Sequence, residues 1–219
     1  MTSLGSIPAL RVLSGSALAA VERDSRPARF PAGAMLRPYG EPARAVVLLL
    51  SGTVAAAHLA ASGVEVWPEQ WTGPAIADKP AVLDGGVPPT GLVALTAATA
   101  RLLPRQDFLR LLDQEPALRA HVFGRLARDA LTARRRLAQA TTLPAVARLA
   151  AWLDAPERPH PVAWSGTQEQ LARMLGLSRV SVNRALARLA GSGAVRRTGQ
   201  GIVVADRATL RAVVNDYSE

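Results

Sequence analysis

The chain has 219 residues, of which 49% are hydrophobic, and a formal net charge of +9 at pH 7. This length allows one large domain or two modest ones. So positive a charge favours a polyanionic partner, a nucleic acid before a membrane surface, with general surface basicity as the alternative interpretation. The sequence contains no cysteine, which excludes disulfides, thiolate zinc sites and a cysteine nucleophile.

The N-terminal segment does not have the pattern of a signal peptide, because no charge precedes its first apolar stretch and that stretch is not sustained. The longest apolar run, residues 45–50, is far too short to cross a bilayer. We therefore expect a cytoplasmic protein that does not bind membranes.

The N-terminal half changes texture after a short helical region. Residues 7–24 have the apolar spacing of short helices, whereas residues 28–103 are rich in glycine and proline and poor in charge. Short β-prone runs separated by turn residues predict a sandwich or a roll. The predicted strand runs are residues 35–37, 45–50, 52–57, 64–67, 91–95 and 100–103.

A helical pattern begins near residue 106 and carries an apolar seam with alternating steps of three and four. This spacing is typical of a coiled coil and predicts pairing with the same helix of a second copy. Packing of the helix on its own domain is the alternative, because the seam lasts only about two and a half heptads and half of it is alanine. The seam residues are Phe123, Leu126, Ala130, Ala133, Leu137 and Ala140.

Residues 165–205 give the strongest pattern in the sequence. Thr167 and Gln170 have the spacing of a capping box that begins one helix, Gly176 is placed to end it in a tight turn, and Ser178 is placed to cap a second helix. Two helices joined by a short glycine turn predict a helix-turn-helix, whose second helix enters the DNA major groove. Any one of these pieces alone fits an ordinary helical hairpin.

The second helix of this pair is predicted to have an apolar face and a basic face. The basic face consists of Arg179, Val180, Asn183, Arg184 and Arg188. Arginine suits guanine there, because the O6 and N7 atoms of that base accept a two-pronged contact. Beyond the helix, short strands around residues 198–201 predict a β-hairpin wing, which places Arg196 and Arg197 to contact phosphates.

These motifs resemble the cyclic-AMP receptor and fumarate–nitrate regulator (CRP/FNR) superfamily. The segment TQEQLARMLGLSRVSVNRALARL is similar to its helix-turn-helix, and FPAGAMLRPYGEPARAVVLLLSGTV to the opening strands of its cyclic-nucleotide-binding roll. The resemblance implies an α+β fold with a double-stranded β-helix (jelly-roll-like) sensor domain over 1–114, a dimerisation helix over 115–140 and a winged helix-turn-helix domain over 141–219. It implies a transcription regulator and not an enzyme, with double-stranded DNA, a second copy of the chain, RNA polymerase and a small-molecule effector as its candidate partners.

The resemblance also assigns roles to single residues. Arg179 and Arg184 would contact bases, with Val180 and Asn183 beside them on the same face. The DNA backbone would be held by Thr167, Gln168, Ser178, Ser181 and the exposed arginines Arg188, Arg196 and Arg197. The family commonly has a glutamate where this chain has Val180, and a valine offers only an apolar surface, for example to a thymine methyl group. We therefore expect a half-site that differs from the commonest one of the family.

The family's nucleotide pocket is not reproduced in the sequence. The family uses a G-E-x-[AS] turn, whose glutamate binds the ribose, and an R-[ST] pair, whose arginine binds the cyclic phosphate. The corresponding stretches here are Gly73-Pro74-Ala75 and Pro88-Pro89-Thr90. Since no arginine or lysine occurs between Lys79 and Arg101, we expect DNA binding that is independent of cyclic AMP, with a pocket that is either collapsed or fitted to another effector.

Other functions and cofactors have weaker support. A nucleic-acid enzyme is disfavoured, because the N-terminal half lacks a metal-spaced acid or histidine cluster and a phosphate-binding loop. The remaining alternative is an interaction module with a vestigial helix-turn-helix. We expect no cofactor and no metal site, because His58, His121 and His160 are scattered, although a haem ligand among them stays open.

Overall fold

The computed structural model describes residues 3–61, 63–155, 163–164, 166–199 and 201–217. Contacts divide the chain into two compact units, Met1–Leu131 and Thr132–Glu219. The division falls within one long helix, α4 (Pro116–Thr142), in the segment predicted to be the dimerisation helix. No helix among the described residues is both long enough and apolar enough to span a bilayer.

The first unit is built on two antiparallel sheets of four strands each among the residues described. One sheet has the order β1-β8-β3-β6 and the other has the order β2-β7-β4-β5. The strands are β1 (Arg26–Phe30), β2 (Met35–Arg37), β3 (Ala45–Ser51), β4 (Thr53–Leu59), β5 (Glu65–Thr72), β6 (Ala75–Ala77), β7 (Gly91–Ala94) and β8 (Ala98–Pro104). This arrangement confirms the predicted roll and adds β1 and β6, which the sequence pattern did not reveal.

Strand β3 explains why an uninterrupted apolar run is needed at residues 45–50. Successive side chains of a strand point to opposite faces. Val47 and Leu49 pack between the two sheets with Val54 and Leu92. Val46 and Leu48 belong to a second apolar cluster, formed with the helices of this unit. Since both faces of the strand are covered, an alternating polar pattern would leave polar groups buried.

The helices of the first unit supply that second cluster. Two short 3-10 helices precede them, at Leu4–Ser6 and Pro8–Val12. The α-helices are α1 (Gly15–Asp24), α2 (Lys79–Asp84), α3 (Arg105–Gln114) and the N-terminal part of α4. Ser14 caps α1 through its side chain, which accepts from the backbone N–H of Ala17. Leu118 and Val122 of α4 are buried in the cluster, one helical turn apart on the same face.

The second unit has a helical core with a small three-stranded sheet. Its elements are α5 (Ala145–Leu153), β9 (Ala163–Trp164), α6 (Gln168–Leu175), α7 (Arg179–Gly191), β10 (Val195–Thr198), β11 (Gly201–Val204) and α8 (Arg207–Asn215). The sheet order is β10-β11-β9. Helix α5 packs on α7 and α8, and α6 packs on α7. The helix pair followed by the β10–β11 hairpin confirms the predicted winged helix-turn-helix. The prolines of residues 155–161 predict a loop there, and of that stretch only Ala155 lies within the described residues.

Candidate nucleic-acid interface

Helix α6 begins at the capping box that its sequence predicts. The Thr167 side-chain oxygen accepts from the backbone N–H of Gln170 at 3.1 Å. The Gln170 side-chain oxygen in turn accepts from the Thr167 N–H at 2.8 Å. The helix ends at Gly176, whose φ of +59° is left-handed and disfavours any residue with a Cβ. These local bonds fix where the first helix of the pair starts and stops.

Helix α7 is fixed at its start by two serine hydroxyls. The Ser178 hydroxyl oxygen accepts from the backbone N–H of Ser181 at 3.0 Å. The two hydroxyl oxygens also lie 2.9 Å apart, within hydrogen-bonding distance. Ser178 is exposed and Ser181 is partly exposed. Both residues therefore have a structural role in the helix start, and the spare hydrogen-bonding capacity of the hydroxyls remains for a phosphate oxygen.

The two faces of α7 divide as predicted. Val182, Leu186 and Leu189 are fully buried in the core of the unit. Arg179, Arg184 and Arg188 are exposed, as is 58% of the Val180 surface. Asn183 is partly exposed between them. The helix thus presents an apolar residue in the middle of a basic face.

The arginines of this face are available for a ligand. Among the residues that the structure describes, no ion pair is formed by the arginines Arg179, Arg184, Arg188, Arg196 and Arg197. Arg196 and Arg197 are exposed on β10, where they pair in register with Val203 and Ile202 of β11. A wing and a helix start that expose unpaired guanidinium groups form a surface suited to phosphates and base edges.

A hollow of about 500 Å³ lies where the starts of α6 and α7 meet. Its lining residues are Thr167, Gln168, Glu169 and Arg179. Three of them are predicted DNA contacts that lie twelve positions apart at most in the sequence, and the structure brings them together. Glu169 was not among the predicted site residues, although its place beside Gln168 made it a neighbour of that site.

Family models match both halves of the chain. A model described as Crp-like helix-turn-helix domain matches residues 147–213. A model described as Cyclic nucleotide-binding domain matches residues 27–115. The chain belongs to the CRP/FNR superfamily. This confirms the resemblance that was inferred from the two sequence segments.

Relatives and solved structures agree with this family. The CRP-like cAMP-activated global transcriptional regulator of Mycobacterium tuberculosis is 25% identical, over 89% of this chain and 91% of the relative. FixK2 from Bradyrhizobium japonicum is 18% identical, with a TM-score of 0.74 over 86% of this chain and 96% of its own. The c-di-GMP responsive global regulator CLP from Xanthomonas campestris is 17% identical, with a TM-score of 0.72 over 88% of this chain and 100% of its own. At such identities the structural likeness shows the fold.

In this CRP/FNR chain, the stretches predicted to form the effector pocket are taken up by turns and strand ends. Gly73 and Pro74 form the turn between β5 and β6, and Ala75 pairs with Leu49 of β3. A Cβ on Gly73 would lie 2.8 Å from the Ser51 nitrogen, so a side chain does not fit there. Pro88, Pro89 and Thr90 precede β7.

The backbone carbonyls of that last stretch are already bonded within the roll. The Thr90 carbonyl accepts from the Arg37 guanidinium at 2.7 Å. The Pro89 carbonyl lies 3.0 Å from Nδ1 of His58.

The other two histidines of the chain are His121, which is exposed, and His160, which lies outside the described residues. The described part of the chain contains no group of His, Asp and Glu residues able to hold a metal ion.

The roll of this CRP/FNR chain contains two buried cations that were not predicted from the sequence. Arg37 is 8% exposed and its guanidinium lies 2.5 Å from the carboxylate of Asp78, which is itself buried. Lys79 is 6% exposed and donates to the Ile76 carbonyl at 2.8 Å. The signal for Lys79 was present, because it is the only lysine of the chain and stands beside Asp78 in an apolar stretch. Nothing in the sequence linked Arg37 to Asp78.

Burial is the largest influence on the pKa values of Asp78, Lys79 and the nearby Glu69. Desolvation lowers the pKa of Lys79, although the charges of Asp129 and Glu69 raise it. Desolvation also raises the pKa of Asp78 above its ordinary value, against the opposing effect of Arg37. The pKa of Glu69 is raised by burial and then by the charge of Asp129. Burial therefore disfavours the charged form of each of these three groups.

The predicted dimer seam lies on exposed as well as packed parts of α4. Phe123 is 55% exposed and Leu137 is 67% exposed. Ala130 and Ala133 are also exposed, whereas Leu126 packs against the core of the first unit. Leu131, outside the predicted seam, is 60% exposed. The exposed apolar side chains of α4 therefore include two residues of the predicted seam, Phe123 and Leu137.

Proposed function

We propose that this CRP/FNR-type regulator binds an inverted-repeat DNA site as a homodimer and does not require cyclic AMP. The observation that carries the proposal is the start of α7, which is capped by Ser178 and exposes Arg179, Val180 and Arg184. Such a helix presents its N-terminal residues to base edges when it lies in the major groove. Binding to chromosomal DNA would place the protein in the cytoplasm.

The residues of the face divide into base-reading and backbone-binding groups. Arg179 and Arg184 read bases, since each can make a two-pronged contact with a guanine. Val180 and Asn183, between them, contribute an apolar contact and an amide. The backbone is held by Thr167, Gln168, Ser178, Ser181, Arg188, Arg196 and Arg197, which carry hydroxyl, amide or guanidinium groups suited to phosphate oxygens.

The homodimer is proposed to form through α4. The exposed Phe123 and Leu137 would be covered by the same helix of a second copy, with Ala130 and Ala133 allowing close approach. A two-fold axis along this seam repeats the α7 surface on the opposite side of the dimer. The two recognition helices would then meet half-sites about 34 Å apart, which is one turn of the duplex.

Independence from cyclic AMP is proposed from the groups that the roll offers a nucleotide. A buried cyclic phosphate needs a free cation or several backbone donors. Pro74, Pro88 and Pro89 have no N–H to donate. The buried cations nearby, Arg37 and Lys79, already bind a carboxylate and carbonyl oxygens. Two further predictions are that the roll binds a different effector or none, and that the protein contacts RNA polymerase.

Selection of bound duplexes from a random pool, with and without cell extract, tests the proposal directly. We expect an enriched inverted repeat whose half-site centres are about 10 base pairs apart. Enrichment without extract and without cyclic AMP supports effector independence, and calorimetric titration should show no cyclic AMP binding below roughly millimolar concentration. A protein that sediments as a monomer at micromolar concentration and binds single half-sites tightly would contradict the dimer.

A further inference from the structure

The second unit contains one acidic residue that stands among its exposed arginines. Between Glu157 and Asp206 the sequence has seven arginines and a single acid, Glu169. A surface built only for attraction to phosphates gains nothing from a carboxylate. The presence of an acid at position 169, among these arginines, therefore needs a physical explanation.

The structure places this carboxylate beside three of the predicted DNA contacts. Glu169 lies in the first turn of α6, and 54% of its side-chain surface is exposed. It lines the hollow of about 500 Å³ together with Thr167, Gln168 and Arg179. Its carboxylate lies 3.4 Å from the Nε atom of Arg173, which is a long ion pair within one helix.

Helix stability gives only a partial account of Glu169. An acid in the first turn interacts well with the helix dipole, and a Glu–Arg pair four residues apart adds a small stabilisation. Both effects would be the same if the first turn faced away from the hollow. Neither explains why the carboxylate shares the hollow with Arg179, a predicted base-reading residue.

We propose that Glu169 keeps backbone phosphates away from Arg179 and so leaves that guanidinium for a base, while Thr167 and Gln168 keep the phosphate contacts proposed for them. The proposal rests on the proposed function. A phosphate that approached Arg179 would also face the Glu169 carboxylate, which lines the same hollow, and like charges repel. Without the carboxylate, a phosphate on any DNA sequence could pair with Arg179, since guanidinium and phosphate bind strongly without regard to sequence. Glu169 is thus a specificity-determining residue that acts by weakening non-specific binding.

The test compares Glu169→Gln with the wild type, using the full-length protein, the selected operator and a scrambled duplex of the same length. The matched control is Asp216→Asn, which removes the same charge from an exposed residue at the end of α8. Fluorescence anisotropy over a range of salt concentrations gives the dissociation constant and its salt dependence. Thermal unfolding checks that each variant is folded.

We expect Glu169→Gln to bind the scrambled duplex roughly three- to ten-fold more tightly, as one added phosphate contact would produce, with a steeper salt dependence. The gain on the operator should be smaller, so that discrimination falls. Glu169→Lys should enlarge the gain on the scrambled duplex. Asp216→Asn should change neither duplex by more than a small uniform factor.

Each other result overturns the proposal in a distinct way. Unchanged binding would mean that Glu169 only stabilises the helix. Weaker binding to both duplexes would mean that it positions Arg179. Loss of preference for cytosine at one operator position, without a gain on the scrambled duplex, would make it a base acceptor. If the wild type enriches no sequence at all, the proposed function itself fails.

Discussion

The two units of the chain carry equal numbers of basic residues but use them differently. Each unit has thirteen arginines and lysines, yet the first has eleven acids and the second only six, giving net charges of +2 and +7. In the roll, Arg37 binds Asp78, and Arg105 donates to the Val82 carbonyl. In the helix-turn-helix, the described partners of Arg179 and Arg184 include no acid. Arg37 and Arg105 of the first unit thus hold the fold, as Arg207 and Arg211 of the second unit do by binding Asp154. The exposed arginines of α7 and β10 are instead left for a polyanion.

The positive charge of the whole chain also includes arginines that are bonded within the roll. Arg101 donates to the Ser25 hydroxyl at 2.8 Å and to the Ser25 carbonyl at 2.6 Å, which ties β8 to the end of α1. Such a guanidinium is not available to DNA. The +9 charge of the chain therefore indicates a nucleic-acid partner mainly through its uneven distribution, because most of the net charge lies in the second unit.

The largest expected effect comes from breaking the buried pair. Replacing Arg37 with Met leaves the Asp78 carboxylate buried without its cation and removes the bond to the Thr90 carbonyl. We expect a loss of about 3–5 kcal/mol in the free energy of unfolding, the usual cost of removing one partner of a buried pair. Chemical denaturation measures it, and the exposed Arg29 of β1, replaced by Met, serves as the control.

The pH dependence of this loss sharpens the comparison. Burial already raises the pKa of Asp78 in the folded protein, and the loss of Arg37 removes the main effect that lowers it. In the variant the folded state therefore binds a proton more tightly than the unfolded state does. Stability is retained below the ordinary carboxyl pKa and lost as the pH rises through the raised one. If Arg37→Met destabilises the protein equally at about pH 4 and at about pH 7, the charge of Asp78 is not the cause of the destabilisation.

The contrast between the units also explains what the sequence could predict. The caps at Thr167 and Ser178 join residues three positions apart, so their motifs are visible in the sequence. The Arg37–Asp78 pair joins residues 41 positions apart, and no local pattern announces it. Helix α2 was missed because it is only six residues long, begins after a left-handed Asp78 and contains Pro80. Short elements set by tertiary contacts carry too little periodicity to be recognised.

The candidate site followed the same rule. Its residues lie on two short helices with caps and a clear apolar face, so both the helices and their exposed arginines could be predicted. The sequence gives no such signal for Glu169, because an acid at the start of a helix fits an ordinary helix-dipole role. Only the hollow that it shares with Arg179 gives it another meaning.

Among the exposed arginines of the second unit, we expect the largest effect on DNA binding from Arg184. Arg184→Ala should weaken operator binding by about 1–3 kcal/mol and relax the preference at one base pair of each half-site. Arg184→Lys is the matched variant, because it keeps the charge and loses the planar fork of the guanidinium. Competition binding with a panel of single-base operator variants measures both. Full sequence preference in Arg184→Ala would mean that α7 docks on DNA differently.

A finer effect is expected from Val180, the apolar residue in the basic face. Val180→Glu should move the preference at one position of each half-site toward cytosine, whose N4 amino group donates to a carboxylate. Val180→Ala should only weaken the preference for thymine there, since it shortens the apolar contact without adding an acceptor. Repeating the selection from random DNA with each variant compares them. An identical motif from all three proteins would remove Val180 from the base-reading face.

The smallest effect is expected from Arg196, and it separates phosphate binding from base reading. The residue is exposed on the wing strand β10, with its neighbour in register, Val203, on β11. A guanidinium there can attract phosphates of any sequence, so Arg196→Ala should weaken operator and scrambled duplexes equally. The slope of log affinity against log salt should fall by about one, because one fewer counterion is released. Arg29→Ala removes the same charge from the roll, where no DNA contact is proposed, and should leave that slope unchanged. Equal slope changes in both variants would mean that DNA senses the charge of the whole chain, and the division between the two units would lose its functional meaning.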